Sequence, residues 1–548
     1  MINPNLSQKE TARFTPNEDA KKLFQTIYAE QHKGPILDDE PRIRVSDVIS
    51  KFAFYYEKIR NTVDDTEEHL LHKNAIDRIL KRQINIEMSK DGTEIARHLL
   101  IELIRAGYLP NNQILESKIG EIGAVINKYF KLKKYCQASI PDSYENKKEI
   151  VNWIISLAAC DIEERLGRNK INQVIVANLY DSLSKAIKLP DGSPYAKDRE
   201  IQIYIGIHRN YFKADRAMVS LILFKYFISN WHEAGDEEAG QVAKNIIEIN
   251  NAINFQINHP ISGQLNKIIN RYTVYFSILT EVIAKDPAAT YEDFRKDPKA
   301  FPRNIKMVCN KRYKTTRAKL WRAAIRSILY LFITKMILIL ILEIPIANLL
   351  GETINNLSLA INVSFPPLLL FLIILFTKLP GDANTAKIIE GIEEITFVEK
   401  ARKEPITLRP PAKRSKAKTI FFNTVYTITF FLSFGFVVWA LNQLNFNIIS
   451  IVIFLFFLAL ISFFSIRIRK RVRELFVIEP KENFIVFIID FFYIPIIAVG
   501  KWLSQKFSRL NVLVFILDFI IEAPFKIFVE IAEEWTKYVK ERKEDINQ

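Results

Sequence analysis

Cysteine is scarce in this chain. Cys136, Cys160 and Cys309 stand far apart and form no CxxC pair. A disulfide framework needs more, so a reduced cytoplasmic setting is expected for the region that holds them. Stretches that alternate apolar and polar residues are few and short, which excludes an extensive sheet. Residues 1–20 are polar and hold no apolar core. No cleavable signal peptide is expected, and the first long apolar run has to serve as its own insertion signal. No fixed repeat period is present, so no named helical-repeat family is indicated. Nucleotide loops, GxSxG, HExxH and kinase-type signatures are missing as well. Asp191-Gly192-Ser193 and Gly351-Glu352-Thr353 read as ordinary turns. His69 and His72 stand three apart on a helix after Glu67 and Glu68, but no second ligand pair matches them and His98 is only loosely placed. They read as a solvated helix face, and no metal or cofactor is expected.

Long apolar runs are what the chain has instead. Residues 327–349, 357–376, 419–441 and 448–466 are each about the length of a helix that crosses a hydrocarbon core of about 30 Å. The short links 351–356 and 442–447 carry no Lys or Arg, whereas the outer flanks are dense in both. Two transmembrane hairpins follow from that pattern, with a cytoplasmic loop at 378–418 and both termini in the cytoplasm of a multi-pass cell-membrane protein.

The fold class expected is all-α: a polytopic helical membrane protein with a large N-terminal helical cytoplasmic domain. Residues 1–16 read as disordered. The domain runs over 17–285, opening on the capping box Thr15-Pro16-Asn17-Glu18. Ser46 caps a periodic helix with Val48, Ile49, Phe52, Tyr55, Tyr56 and Ile59 on one face. Further helices are expected over 67–84, 93–106, 115–132, 144–166, 170–188, 198–212, 216–232, 237–255 and 263–285. A basic connector, 286–326, leads into the membrane domain, 327–466. A shorter helix after Gly381 turns Ile388, Ile392 and Ile395 one way and Glu390, Glu393 and Glu394 the other.

The net charge of +15 is concentrated at the membrane. Arg303 to Arg326 holds nine basic residues and no acid, and Arg467 to Arg473 holds five in seven positions. Lys311, Arg312, Lys314, Arg317, Lys319, Arg322, Arg467, Arg469, Lys470, Arg471 and Arg473 therefore point to anionic lipid headgroups and to topology, and nucleic acid is not an expected partner. Over 467–548 the basic collar is followed by two apolar segments, 484–503 and 512–540. The second bears Asp518, Glu522, Lys526, Glu530 and Glu534 at four-residue spacing, one polar stripe on an apolar helix. Charges at mid-membrane cost roughly 2.5–3.5 kcal/mol each, so both segments are expected to lie at the cytoplasmic interface or to pack under the four spans, with six spans as the alternative.

Candidate chemistry sits inside the spans. Lys335 lies near the middle of the first one, and Glu343 is followed by Pro345. On the second span Pro366 and Pro367 free the carbonyls of Asn362 and Val363. An antiparallel hairpin puts Asn362 level with Glu343, a set suited to a cation or a proton relay. The plain alternative has Lys335 snorkelling or paired and the prolines merely bending a helix. Asn423, Thr424, Thr427, Thr429 and Ser433 on the third span read as inter-helix hydrogen bonding. The leading expectation is a membrane-anchored scaffold or adaptor whose helical domain binds a cytoplasmic protein. A small-ion or solute transporter using Lys335 and Glu343, with homo-oligomers one way to complete its pathway, is the second. An envelope-lipid enzyme at the membrane surface is the third.

Overall fold

The computed structural model describes residues 14–34, 40–46, 53–55, 57–58, 60, 68–83, 91–142, 144–167, 169–231, 233–296, 300–351, 355–410, 415–478 and 484–509, and residues 531, 534, 535, 538, 539, 542 and 543. It is all-α. Among the described residues the only strands are β1 (Ile187–Lys188) and β2 (Ile406–Thr407), paired in parallel. In chain order the helices are α1 (Glu18–Gln31), α2 (Glu68–Arg82), α3 (Gly92–Arg105), α4 (Ser117–Ser139), α5 (Lys147–Leu166), α6 (Lys170–Ala186) and α7 (Arg199–Tyr211). Then come α8 (Arg216–Phe227), α9 (Asp236–Lys244), α10 (Ile246–Ile257), α11 (Ser262–Lys285), α12 (Pro287–Lys296) and α13 (Ala300–Leu338). The last are α14 (Ile344–Leu349), α15 (Asn356–Leu375), α16 (Asp382–Thr396), α17 (Lys416–Gln443), α18 (Ile448–Arg473) and α19 (Phe484–Arg509).

The chain divides into two compact units. One comprises the described residues of 29–269, 405–409 and 512–548. Ile76, Leu99, Ile126, Ile154, Phe224 and Trp231 are part of one continuous core there, formed mainly by α2 to α5 and α8 to α10. Asp91, Asn169 and Asp215 cap α3, α6 and α8, each side chain accepting from a backbone N–H of the first turn. Helices α3 and α4 cross backbone to backbone, since a Cβ on Gly92 would stand 2.6 Å from the Gly123 carbonyl oxygen. Two expected helices end differently. The one over 237–255 divides at Asn245, which terminates α9 and opens α10. The one over 216–232 stops at Phe227, where the chain leaves the helix and turns the Trp231 ring into the core. Of the face expected after Ser46, Val48, Ile49, Phe52, Tyr56 and Ile59 lie outside the described residues, and Tyr55 is exposed.

The other unit holds the described residues of 1–28, 270–404 and 410–511. Helix α1 belongs here. Its cap is Asn17, whose Oδ1 accepts from Ala20 N at 2.8 Å while its Nδ2 donates to the Ile395 carbonyl. Thr15, read from sequence as the cap, instead joins the chain after α16, where Val398 N donates to its carbonyl. Helix α16 buries Ile388, Ile392 and Ile395, and its Glu394 accepts from Tyr272 OH at 2.6 Å and from Arg402. Its Asn384 bonds Tyr313 OH, the Leu475 carbonyl and the Val477 and Ile478 amides, tying α16 to α13 and to the chain after α18.

Among the described residues five helices are long and apolar enough to cross a membrane: Ala300–Leu349, Asn356–Leu375, Lys416–Gln443, Ile448–Lys470 and Phe487–Lys506. The first four match the segments expected from sequence, the second ending one residue sooner, at Leu375. The fifth covers most of the segment 484–503, expected from sequence at the interface or packed under the spans. Helix α19 lies along α18 in the opposite sense, with Asp490 and Tyr493 within electrostatic reach of Arg469 and Gly500 against Ala459. A Cβ on Gly500 would fall 1.9 Å from the Ala459 carbonyl oxygen. Small residues permit this approach of backbones, the usual way helices associate in lipid. Ser433 on α17 adds a 2.8 Å hydrogen bond to the Phe492 carbonyl. The segment 512–540 lies outside the described residues apart from a few isolated positions.

Candidate functional site within the helix bundle

Helix α13 does not end where its α-helical geometry does. Over Ile339–Glu343 it widens into a π turn, and it resumes as α14. Pro345 explains the change: it has no N–H for the Ile341 carbonyl and its ring would crowd that group, so the helix takes up an extra residue. The amide of Ile344 accordingly bonds Ile339, five residues back. The π turn delivers Glu343 to the bundle interior, fully buried.

There Glu343 meets the second span at the expected level. Asn362 Nδ2 donates to both carboxylate oxygens, at 2.9 and 3.0 Å. Asn362 stands one turn before Pro366 and Pro367, both buried inside α15. A third donor comes from α18, where the Ser450 hydroxyl bonds Glu343 Oε1. Ser450 is placed by its own helix start, its amide donating to the N-cap Asn447 side chain at 2.7 Å. Ser450 and Asn362 are as buried as the carboxylate they hold.

Lys335 lies about two turns earlier on α13 and is also fully buried, so it does not snorkel. Its Nζ has no hydrogen-bond partner and forms no ion pair within 4 Å among the described residues. It rests over the Phe457 ring, 4.1 Å from the centroid. Glu343 is the charged group within its electrostatic reach. Phe457 follows Ser450 by two turns of α18, so one face of that helix supplies both contacts. A desolvated cation–π contact contributes about 2 kcal/mol, against roughly 2.5–3.5 kcal/mol for a charge at mid-membrane. The aromatic face alone does not offset the burial of Lys335. Asn362 Oδ1 is a second buried polar atom without a partner.

The set is chemically narrow. Its donors to a ligand are oxygens: the Glu343 carboxylate, Ser450 Oγ, Asn362 Oδ1 and the carbonyls released by the two prolines. Hard cations and protons suit such a set, and thiol- or imidazole-loving metals do not. No group of three or more His, Cys, Asp or Glu side chains with metal-binding proximity occurs among the described residues. His72 pairs with Glu163 at 2.6 Å and stacks on Tyr108, and the His69 side chain is outside the description.

The remaining sequence candidates separate. Lys311, Lys314, Arg317, Lys319 and Arg322 are exposed along α13, as are Arg467, Lys470 and Arg473 on α18. Arg312 instead bonds Glu281 at 2.5 Å and Ser277, and Arg469 is half-buried. The Arg471 side chain is outside the description. Of the third-span hydroxyls, Thr429 and Ser433 are buried, and Ser433 bridges to α19. Asn423, Thr424 and Thr427 are exposed. Asp518, Glu522, Lys526 and Glu530 lie outside the described residues, and Glu534 is exposed. Sequence reasoning missed Ser450 and Phe457. Their signal was a polar residue three places after an Asn cap, followed by an aromatic at a spacing that shares its face. Compared with family models, curated proteins and solved structures, the chain matches none.

Proposed function

We propose that this chain is a multi-pass membrane protein that binds and passes a small hard cation or a proton at the junction of α13, α15 and α18. One observation carries the reading: Glu343, completely buried, is held by side chains from two other helices while Lys335 beside it has no hydrogen-bond partner. Intramembrane ionisable groups that face a bundle interior mark ion pathways and proton relays, and π turns and proline-broken helices recur at such sites. The basic flanks orient the protein with α13 entering from the cytoplasm. The test is flux into liposomes containing the reconstituted protein, followed with tracer sodium or potassium and a trapped pH dye. Glu343→Gln is expected to reduce flux at least tenfold, and unchanged flux would overturn the reading.

A second reading, an adaptor that holds a cytoplasmic partner at the membrane, is favoured by the helical unit of 29–269. It has its own core and a surface cleft of about 500 Å³ lined in part by Tyr144, Trp153, Arg216, Asn250 and Asn254. Trp and Arg in a cleft are common anchors of protein interfaces. In-cell crosslinking from Asn152, on the rim, should trap a specific partner that Trp153→Ala loses, and capture unaffected by that change would count against it.

A further inference from the structure

Charge balance in the bundle narrows what the site accepts. Glu343 is the charged group within electrostatic reach of Lys335, and the flanking helices supply no other. Helix α15 carries none, α18 carries none from Ile448 to Ile466, and on α13 Arg326 is more than two turns before Lys335. With both ionised the buried site is neutral. A monovalent cation seated on Glu343 adds one positive charge to a low-dielectric interior, where an uncompensated charge is strongly disfavoured. The group that can relinquish a charge is the Lys335 ammonium, which no hydrogen bond holds. A divalent cation would leave an excess charge even then, because one carboxylate is all the site offers.

Resting on the cation-handling reading above, we propose that a monovalent cation and the Lys335 proton compete for the single negative charge of Glu343. The site then exchanges one cation for one proton. Seating the cation between Glu343, Asn362 and Ser450 breaks one N–H bond of the Lys335 ammonium. The nitrogen keeps the electron pair as a neutral amine, the proton passes to water, and the net charge of the buried set stays at zero. Reprotonation of Lys335 restores the Coulombic partner of Glu343 and expels the cation. Lysine suits this role where arginine does not, since a guanidinium does not give up its proton in a protein.

The experiment uses the full chain purified in detergent in weakly buffered solution. Sodium, potassium or lithium chloride is added, with choline chloride as control, and bound cation and released proton are measured together. The native chain should release one proton per cation bound. Lys335→Arg keeps the charge but does not give up its proton, so it should bind the cation at least tenfold more weakly and release no proton. Cation binding by the native chain without proton release, or native affinity and proton release in Lys335→Arg, overturns the exchange while leaving the cation site standing. No binding of any of the three cations by the native chain overturns both.

Discussion

Single side chains carry the measurable consequences of this structure. Ser450→Ala removes one donor to a buried carboxylate. A hydrogen bond to a charged group contributes about 1.5–3 kcal/mol, so the detergent-solubilised variant should melt below the native chain. Ser450→Thr, which keeps the hydroxyl, should recover most of the difference, and equal melting of native and Ala forms would refute the contact. His208 makes a separate prediction for the helical unit. It packs between Tyr204 and Phe212 with Nε2 buried and unpartnered, and burial pushes its pKa down to about 4. The folded value is below the unfolded one, so the neutral form is favoured by folding. Its contribution is complete above about pH 6.5 and erodes as pH falls towards 4, by roughly 1.4 kcal/mol per unit. His208→Phe should flatten the acid side of the melting-temperature profile between those values, and an unchanged slope would show that other groups set it.

Elements respond differently from side chains because backbone geometry decides them. Gly500→Val places methyl carbons where the Ala459 carbonyl already stands. Overpacking costs typically about 1–3 kcal/mol, so α19 should separate from α18 and the melting temperature drop. Gly435→Ala on α17, where a Cβ meets nothing within 4 Å, should be neutral. Pro345→Ala separates stability from function: restoring a backbone donor lets the π turn relax to α geometry, which gains a hydrogen bond and turns Glu343 away from Asn362. A variant that melts higher yet binds less cation is the expected outcome. The helix positions and the level of Glu343 against Asn362 were legible in the sequence, because apolar length and a short hairpin link determine both. The π turn was not, since its origin in Pro345 changes the helix by a single residue. Nor was the packing of α19, because the contact that places it depends on one glycine, Gly500, whose neighbour Ala459 lies forty-one residues earlier.

At the scale of the whole molecule, the charge pattern and the helix count lead to a definite topology experiment. Five described helices are long and apolar enough to cross, whereas both termini are expected on the cytoplasmic side, which requires an even number of crossings. Cysteine labelling with an impermeant reagent, in a background without Cys136, Cys160 and Cys309, should mark Asn355 and Asn445 from outside but neither Thr407 nor Gln548. Labelling of Gln548 from outside would fix the count at five and place the end of the chain across the membrane. The unbroken course from Ala300 to Leu349 has a mechanical corollary. At 1.5 Å per residue, the stretch from Ala300 to Glu343 has a contour of about 65 Å, roughly twice the hydrocarbon thickness. A swing of about 5° at the π turn would carry the far end of such a rod through about 6 Å.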